Sequence, residues 1–440
     1  MWSFCLSLTA RPDRALDVTI ERLGGRGDGI ATTPAGPVYV PNALPGEEVL
    51  VRLGKPRAEG LAARVVERRT DSADRIEPVC KHFGRCGGCA IQHLAQPAYA
   101  VWKRDLLLEI LARRGFDDAS IVADLVLCPP QRRRVRFAAI GRKGDAVLGF
   151  NARGSNQVID LEMCSTADPR IVAILPALRE ALGDVLTPKM ACDVEIVAAE
   201  SGLDLLLVSR VSMNGKRRQR LIDFAGQHGV ARVAFQQDER FQPETIIQFE
   251  APIVRFGETS VPFPPGAFLQ PSAAGEQALR EAVQLLIPPG SMRVVELFSG
   301  CGAFGLPLAA AGFRVAAYEA EEAMIQALGL AAGRAGLGGR VTGHVRDLVR
   351  QPLRPEELEG ADVILLDPPR NGAADQVEQI ADSAVPAVVY VSCNPASFAR
   401  DAAVLADGGY VLRQVIPVDQ FVYTPHLELV ALFQQGDATA

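Results

Sequence analysis

Residues 294–305 read VVELFSGCGAFG, and this stretch decides how the second half of the chain folds. Mostly apolar residues are followed by glycines at positions 300, 302 and 305, and then by the run LPLAAAG. Glycine lets the backbone bend tightly after a strand and approach a ligand closely. The pattern predicts a strand, a loop and a helix. By itself it is compatible with a dinucleotide site, an S-adenosylmethionine site or a simple turn.

Strands and helices alternate on both sides of this loop, from about residue 265 onward. A predicted helix at Ala274–Leu286 precedes it, and the apolar runs FRVAAYEA, DVILLDPP, AVVYVSCNP, YVLRQVIPVDQF and LELVALF follow it. Continuous apolar runs are typical of strands that are covered on both faces of a sheet. We therefore expect an α/β fold whose C-terminal part is a doubly wound, Rossmann-like, mostly parallel sheet with an antiparallel edge.

Three reactive side chains fall at the ends of these strands. Glu319 ends the second strand, Asp367 ends DVILLDPP and Cys393 ends VVYVSC. Ligands of such sheets bind at the carboxyl ends of the strands, and a carboxylate at the position of Glu319 can accept both ribose hydroxyls. No phosphate cradle follows the glycine-rich loop, which favours S-adenosylmethionine. Asp347, beyond the strand RVTGHV, is a candidate for the adenine edge.

Cys393 is predicted to be a nucleophile. It lies between Ser392 and Asn394, and Pro395 begins the next helix. These polar neighbours argue against an inert core cysteine, and we expect the helix N-terminus to stabilise a thiolate. Covalent catalysis by a thiolate also needs a base that removes a proton before the thiolate can leave. Glu428, which opens an otherwise apolar strand, suits that role; an exposed edge carboxylate is the alternative.

The first half of the chain has a different character. Residues 14–69 contain short β-rich runs separated by turn signals, which predict a small oligonucleotide-binding barrel or another small β domain. Residues 11–220 carry 32 Lys and Arg against 26 Asp and Glu, whereas residues 221–440 carry 14 against 26. This asymmetry favours a polyanionic partner for the first half, although a basic stretch is also typical of a solvated face. Basic clusters occur at QRRRVRF (131–137) and GKRRQR (215–220).

Nine cysteines are present, and three of them cluster in one short segment. Cys80, Cys86 and Cys89 are spaced by six and three residues, with Cys164 as the favoured fourth ligand and Cys128 as its rival. No secretory signal is apparent, so a metal site is favoured over a disulfide framework. Four thiolates suit either zinc or an iron–sulfur cluster, and the spacing does not decide between them.

The motifs together resemble the bacterial RNA uracil-5-methyltransferases that carry a 4Fe–4S cluster. PVCKHFGRCGGCAIQH (78–93), QRRRVRF, FLQP (268–271), DPPRNGA (367–373) and VSCNP (391–395) carry the resemblance, which covers nearly the whole chain. It implies an N-terminal TRAM domain, an iron–sulfur cluster rather than zinc, and Cys393 and Glu428 as nucleophile and base. The positions that it implies for S-adenosylmethionine are Gln270, Phe298, Glu319, Asp347 and Asp367, and the glycine-rich loop itself adds Gly300, Gly302 and Ala303. The positions that it implies for RNA are Arg132, Arg133, Arg134 and Arg136.

The resemblance has one departure and leaves two other hypotheses open. In the glycine-rich loop, Ala303 replaces an expected asparagine, and Ser299 replaces a cysteine. An RNA-binding or assembly factor with an inactive enzyme domain is the first alternative; an iron–sulfur radical methyltransferase is the second, and the fourth ligand Cys164 argues against it.

The sequence also predicts the organisation and the partners of the protein. We expect three domains: a TRAM-like domain at 11–70, a central iron–sulfur and RNA-binding domain at 76–262, and a methyltransferase domain at 265–440. The expected partner is an unpaired loop uridine, in 23S ribosomal RNA in preference to transfer RNA. The absence of an apolar run long enough for a membrane span favours a cytoplasmic protein, and no obligate protein partner is evident.

Overall fold

The computed structural model describes residues 15–57, 59–238 and 240–436. The chain divides into two compact units. The first unit comprises the described residues up to Leu106 together with Asn151–Gln157 and Tyr423–Pro425. The second unit comprises Leu107–Phe150, Val158–Val422 and the described residues from His426 onward. The predicted division into three domains stays a prediction, although each of the three predicted ranges supplies the main part of one sheet.

The first unit contains a six-stranded sheet with the order β1-β5-β6-β4-β3-β2. Its strands are β1 (Ala15–Thr19), β2 (Arg22–Leu23), β3 (Asp28–Thr33), β4 (Gly36–Pro41), β5 (Glu48–Arg57) and β6 (Gly60–Arg68). Alternate side chains of β4 and β5, including Val38, Val40, Val49 and Val51, form its apolar core. Alternation of this kind is expected where one face of a sheet is buried. The predicted β-rich N-terminal domain is thus confirmed.

A turn-rich segment carries the cysteines of the first unit and leads into helix α1 (Gln96–Ala112). The segment is held together by local hydrogen bonds, among them one from the backbone N–H of Ile76 to the carbonyl of His93 (3.0 Å). The chain enters the second unit within helix α1, after Leu106.

The second unit begins with a seven-stranded sheet of order β10-β9-β8-β11-β12-β13-β14. Its strands are β8 (Arg134–Gly141), β9 (Ala146–Asn151), β10 (Val158–Asp160), β11 (Ala191–Ala199), β12 (Gly202–Val208), β13 (Val230–Gln236) and β14 (Glu244–Gln248), and β7 (Val126–Leu127) precedes them. A hairpin of β15 (Ile253–Phe256) and β16 (Thr259–Pro262) follows.

Two helices of this region were not predicted from the sequence. Helix α2 (Pro169–Val185) contains an internal proline, Pro176, which weakens a helical pattern. Helix α3 (Gly215–His228) begins with the basic cluster at 215–220, so its apolar face is confined to the second half. Both helices have N-caps that the sequence contains: Asp168 accepts a hydrogen bond from the backbone of Arg170, and Asn214 does so from that of Arg217.

The C-terminal part forms the predicted doubly wound sheet, with the order β19-β18-β17-β20-β21-β23-β22-β7. Its strands are β17 (Arg293–Leu297), β18 (Arg314–Glu319), β19 (Val341–Val345), β20 (Val363–Leu366), β21 (Ala387–Ser392), β22 (Tyr410–Asp419) and β23 (Glu428–Gln435). Its helices are α4 (Ala273–Leu286), α5 (Gly305–Ala310), α6 (Glu322–Arg334), α7 (Ala374–Ala381) and α8 (Pro395–Asp407). Apolar cores cover both faces of the sheet, as its continuous apolar strands predict.

The strand order positions the site. The chain winds outward in one direction from β17 to β19 and in the other from β20 to β21, so the carboxyl ends of β17 and β20 flank a crevice. Strand β23 pairs antiparallel with both β21 and β22, which gives the antiparallel edge that the sequence predicts. None of the helices among the described residues combines the length and the apolar character that a transmembrane helix needs.

Candidate active site

The glycine-rich loop follows β17 and turns sharply into α5. Phe298 has a positive φ of 63°, and Gly300 and Gly302 have φ angles of 55° and 91°. A left-handed phenylalanine is a strained conformation, and such strain is concentrated at ligand-binding turns. Ala303 packs against the apolar core beneath the loop. The loop therefore presents its backbone at the carboxyl end of β17, as predicted.

Glu319 ties this loop to the end of β18. Its Oε2 accepts a hydrogen bond from the backbone N–H of Gly300 (3.0 Å). Its Oε1 accepts from the backbone N–H groups of Ala320 (2.7 Å) and Glu321 (3.1 Å). Three backbone donors fix the orientation of the carboxylate beside the loop.

Asp347 lies just beyond β19, the neighbouring strand. The backbone N–H of Arg346 donates to the carbonyl of Glu319 (2.8 Å), which holds the two acidic positions in adjacent turns. Oδ1 of Asp347 accepts from the backbone of Val349 (3.1 Å) and thereby closes the turn. The structure thus brings the residues of β17, β18 and β19 that were predicted to bind S-adenosylmethionine to one edge of the sheet.

Asp367 and Gln270 lie on the other side of the crevice. The backbone N–H of Asp367 donates to the carbonyl of Leu297 (3.2 Å), and Nε2 of Gln270 donates to Oδ2 of Asp367 (3.3 Å). Burial raises the pKa of Asp367 to about 7, although the hydrogen bond from Gln270 opposes this increase. A buried carboxyl group with such a pKa is poised to change its protonation state near neutral pH.

Cys393 and Glu428 come from two neighbouring antiparallel strands. Ser392 at the end of β21 pairs with Leu429 of β23, so Cys393 and Glu428 are the next facing positions of this register. Neighbouring antiparallel positions of this kind bring side chains close together. The sequence predicted both roles, and the strand pairing now places the two residues side by side.

The helix N-terminus that we expected to stabilise a thiolate does not lower the pKa of Cys393 below its usual value. Burial, together with the carboxyl groups of Glu428 and Asp367, raises the pKa of Cys393 to about 12, and Arg370 opposes this increase. Asn394 caps helix α8 through its own side chain, which accepts from the backbone N–H of Ala396 (3.2 Å). Desolvation and two acidic neighbours therefore outweigh the helix N-terminus, and the resting residue is a thiol.

Glu428 is buried, with only 2% of its surface exposed. Burial raises its pKa to about 8; Asp367 adds to the increase, and a hydrogen bond from Gln420 opposes it. Oε1 accepts from Nε2 of Gln420 (3.1 Å), while Oε2 has no hydrogen-bond partner among the described residues. The alternative of an exposed edge carboxylate is thus excluded.

Sequence reasoning missed two buried polar residues of this site. Gln420 joins Glu428 to Gln270, because its Nε2 also donates to Oε1 of Gln270 (2.8 Å). Glu296 lies beneath the glycine-rich loop, where its Oε1 accepts from the backbone N–H of Gly305 (3.0 Å) and burial raises its pKa to about 8. The signal for Glu296 was a charged residue inside the apolar run VVELF, whereas Gln420 left no comparable signal.

The four arginines predicted to bind RNA occupy well-defined places in the second unit. Arg133 pairs with the buried Glu276 and donates from Nε to the carbonyl of Gln270 (3.1 Å). Arg134 forms a two-pronged pair with Glu195, with both N–O distances at 2.9 Å. Arg136 pairs with Asp193 (2.7 Å), and the guanidinium of Arg132 lies 5.6 Å from the ring centre of Phe421. Their role in RNA binding stays a prediction.

The cysteines of the predicted cluster lie in different parts of the chain. Cys80, Cys86 and Cys89 belong to the first unit and Cys164 to the second. Sγ of Cys86 accepts from the backbone N–H of Gly88 (3.4 Å), and Sγ of Cys164 lies 3.4 Å from the hydroxyl of Thr166. Within residues 15–57, 59–238 and 240–436, no three His, Cys, Asp or Glu side chains are arranged to hold a metal ion. The structure therefore does not confirm the predicted 4Fe–4S cluster.

Comparisons with known proteins agree with the fold. Residues 353–435 match the family described as tRNA (Uracil-5-)-methyltransferase, and residues 13–66 match the TRAM domain. A solved tRNA (uracil-54, C5)-methyltransferase of Pyrococcus abyssi, in complex with S-adenosyl-L-homocysteine, covers 95% of this chain and 99% of its own length with a TM-score of 0.72. At 21% identity this likeness shows the shared fold.

Two relatives align with almost the whole chain. An uncharacterised RNA methyltransferase of Mesorhizobium japonicum is 40% identical over 95% of this chain and 97% of its own length. A 23S rRNA (uracil(1939)-C(5))-methyltransferase of Shewanella piezotolerans is 32% identical over 97% of this chain and 98% of its own. Fold and site thus define a TRAM-containing RNA methyltransferase. More narrowly, the chain belongs to the S-adenosylmethionine-dependent RNA (uracil-5-)-methyltransferases.

Proposed function

We propose that the protein methylates carbon-5 of one uridine in RNA through a covalent adduct between Cys393 and carbon-6 of the base. The observation that carries this proposal is the pairing of β21 with β23, which sets a cysteine beside a buried carboxyl group at the ligand-binding end of the sheet. Asp367 raises the pKa of both Cys393 and Glu428, which indicates that the three groups share one site.

The role of Cys393 follows from the weak reactivity of uracil. The Cys393 thiol first gives its proton to solvent; the sulfur then adds to carbon-6, and the ring electrons move toward the oxygen on carbon-4. Carbon-5 of the resulting enolate is nucleophilic and forms a bond to the methyl group, which leaves its sulfonium sulfur. Because burial and two carboxyl groups raise the pKa of Cys393, we expect the proton to leave only once substrate is bound.

The role of Glu428 comes after methyl transfer. Carbon-5 then carries both the new methyl group and its original proton. The Glu428 carboxylate takes this proton, the electron pair returns to the ring, and the bond between sulfur and carbon-6 breaks. A base works best when its pKa lies near the operating pH, and the pKa of Glu428, raised to about 8, meets this requirement.

The donor side of the site fits S-adenosylmethionine. When bound, this molecule supplies an electrophilic methyl group on a sulfonium centre. The carboxylate of Glu319 would hold the ribose, Asp347 the adenine edge, and the backbone of Gly300 and Gly302 would lie against the donor. Phe298, Ala303, Gln270 and Asp367 complete the proposed donor residues.

The substrate that we propose is ribosomal RNA. Two relatives, from Shewanella piezotolerans and Shewanella halifaxensis, are named as 23S rRNA enzymes and are 32% and 34% identical to this chain. The match to a TRAM domain and the arginines of β8 support RNA as the polymer. Because the ring must meet the sulfur and the methyl donor from opposite faces, the uridine must be unstacked and flipped into the site.

A labelling experiment tests the proposal. The purified protein is incubated with methyl-labelled S-adenosylmethionine and with separate ribosomal and transfer RNA pools from cells that lack the gene. We expect label in the ribosomal pool, recovered as 5-methyluridine at a single position. Label in the transfer RNA pool alone would refute the substrate, and a modified nucleoside other than 5-methyluridine would refute the chemistry. RNA binding without methyl transfer to either pool would favour the alternative of a binding factor.

From the sequence resemblance alone, we further propose that the protein carries a 4Fe–4S cluster bound by the four cysteines Cys80, Cys86, Cys89 and Cys164. No step of the reaction above depends on this cluster. Protein purified without oxygen should contain iron and sulfide in equal amounts, and Cys86→Ser should lower both. Iron and sulfide at background level in the wild-type protein would refute the cluster.

A further inference from the structure

Gln420 occupies the turn after β22, and its side chain lies between two residues of the proposed site. Its Nε2 donates to Oε1 of Glu428 (3.1 Å) and to Oε1 of Gln270 (2.8 Å). Gln270 in turn donates to Asp367 (3.3 Å). One carboxamide thus links the end of β22 to the base on β23 and, through Gln270, to the carboxyl group that ends β20.

The surroundings of Gln420 leave its side chain little freedom. Gln420 is buried, with 1% of its surface exposed. Helix α4 packs directly against it: a Cβ atom added at Gly275 would lie 2.4 Å from Cβ and 2.6 Å from Oε1 of Gln420. Contacts this short are not tolerated between real side chains. Gly275 therefore makes room for the glutamine, which is held in one conformation by packing as well as by hydrogen bonds.

The two oxygens of the Glu428 carboxyl group have different environments. Oε1 is bound by Gln420, whereas Oε2 is buried and has no partner among the described residues. A buried oxygen without a partner is costly and calls for an explanation. An oxygen reserved for the proton of a substrate provides one, because the other oxygen is already held in place.

We propose that Gln420 is a positioning residue of the methyl transfer: it fixes Glu428 through Oε1 and leaves Oε2 to take the proton from carbon-5. This inference rests on the proposed role of Glu428 as the base.

The electrostatics of Glu428 point in the same direction. The groups that face it are Asp367 at the end of β20, Cys393 at the end of β21 and Gln420 after β22. Helix α4, which packs against β22 and β23, carries the buried Glu276, whose charge is paired with Arg133 and Arg280. The hydrogen bond from Gln420 is the influence that lowers the pKa of Glu428 against burial and Asp367. Without it, the pKa of Glu428 would rise further and less of the base would be ionised at neutral pH.

The test compares Gln420→Met with the wild-type protein in single-turnover reactions across pH. Methionine keeps the length of the side chain and removes its hydrogen bonds. Methyl transfer should still occur, but release of the RNA adduct at pH 7 should slow by roughly tenfold, as a pKa change of about one unit implies. The acid limb of the release rate should move to higher pH.

Two further variants show whether the slower release of the adduct depends on the placement of the Gln420 side chain. Gly275→Ala keeps every hydrogen-bonding group but crowds Gln420, so release should slow in the same direction. Because the added methyl group also overpacks this buried site, the melting temperature is measured at the same time, and only protein that remains folded at the assay temperature is compared. Gln277→Met makes the same chemical change at an exposed glutamine of α4 and should match the wild type.

Three results would overturn the inference. The first is a Gln420→Met variant that releases the adduct with the wild-type pH profile. The second is an equal loss of rate at every pH together with a lower melting temperature, which would show a purely structural residue. The third is an effect of Gln277→Met as large as that of Gln420→Met. A wild-type protein that forms neither adduct nor 5-methyluridine would instead refute the proposed function, so the two failures are distinguishable.

Discussion

Glu319 and Glu428 are both acidic residues at the ligand-binding end of one sheet, yet their surroundings differ. Glu319 accepts hydrogen bonds from three backbone N–H groups, which engage both of its oxygens. Glu428 accepts one hydrogen bond from a side chain and keeps one buried oxygen without a partner among the described residues. Backbone donors give a carboxylate a fixed orientation, which suits binding. A sparsely bonded, buried carboxyl group can gain and lose a proton, which suits catalysis.

The largest effect on activity should come from substituting Cys393, the proposed nucleophile beside Glu428. Cys393→Ala should lower methyl transfer on the order of 10⁴-fold or more, since no other group can form the adduct. Transfer of label from S-adenosylmethionine to RNA measures it. Cys192→Ala, in a buried position of β11, is the matched control and should keep its activity. Turnover in Cys393→Ala close to the wild-type rate would show that Cys393 is not the nucleophile, and Glu428 would then have no adduct to resolve.

Glu428→Gln should give the next largest effect, because it removes the proton acceptor and keeps the shape of the side chain. We expect turnover to fall by about 10²- to 10⁴-fold and a protein–RNA adduct to accumulate on denaturing gels. The double variant Cys393→Ala/Glu428→Gln should show no such band. A Glu428→Gln protein that turns over without a detectable adduct would contradict the assignment of the base.

Glu319→Ala should act on binding instead of chemistry. The loss of a charged, well-oriented acceptor should raise the KM for S-adenosylmethionine by about 10- to 100-fold. The lifetime of the adduct, once formed, should not change. Glu322→Ala, at the start of α6, serves as a control on the same side of the sheet. An adduct that persists in Glu319→Ala would show that Glu319, like Glu428, acts in the release of the adduct and not only in binding.

The smallest effect concerns stability. The pKa of Glu428 is raised to about 8 in the folded protein, above its usual 4.5, so the folded state holds a proton that the unfolded state releases in this interval. Stability should therefore fall as the pH rises from about 5 to about 8. Glu428→Gln removes the contribution of Glu428 and leaves those of Asp367 and Glu296, so it should melt about one to a few degrees above the wild type at pH 8.5 relative to pH 5.5. A difference in melting temperature between the two proteins that is the same at pH 8.5 and at pH 5.5 would argue against a raised pKa of Glu428.

The sequence predicted the methyltransferase sheet, and it predicted that the proposed site residues lie at one end of that sheet, because the information is local. Apolar runs give the strands, glycines 300 and 302 give the loop, and reactive residues at strand ends fall together by the geometry of parallel sheets. Helix α2 was missed because Pro176 interrupts its pattern, and α3 because a basic cluster hides its short apolar face.

What the sequence could not provide depends on distant parts of the chain. Gln420 matters only because β22 and β23 pair and because Gly275 of α4 leaves space for it. The acidity of Cys393 was misjudged for the same reason. The helix N-terminus beside Cys393 is visible in the sequence. Its burial and its two carboxyl neighbours, Asp367 after β20 and Glu428 of β23, depend on strands that are distant along the chain.

The position of β23 has a consequence for how an active molecule comes into being. This strand follows every other described strand along the chain, yet it lies between β21 and β22 in the sheet. While the polypeptide is being made, β21 and β22 emerge first with no partner between them, and the carboxyl group of Glu428 is still missing. On the proposed mechanism, the thiol of Cys393 therefore meets its base only when this late strand has inserted, so the protein should gain activity only when the sheet is complete.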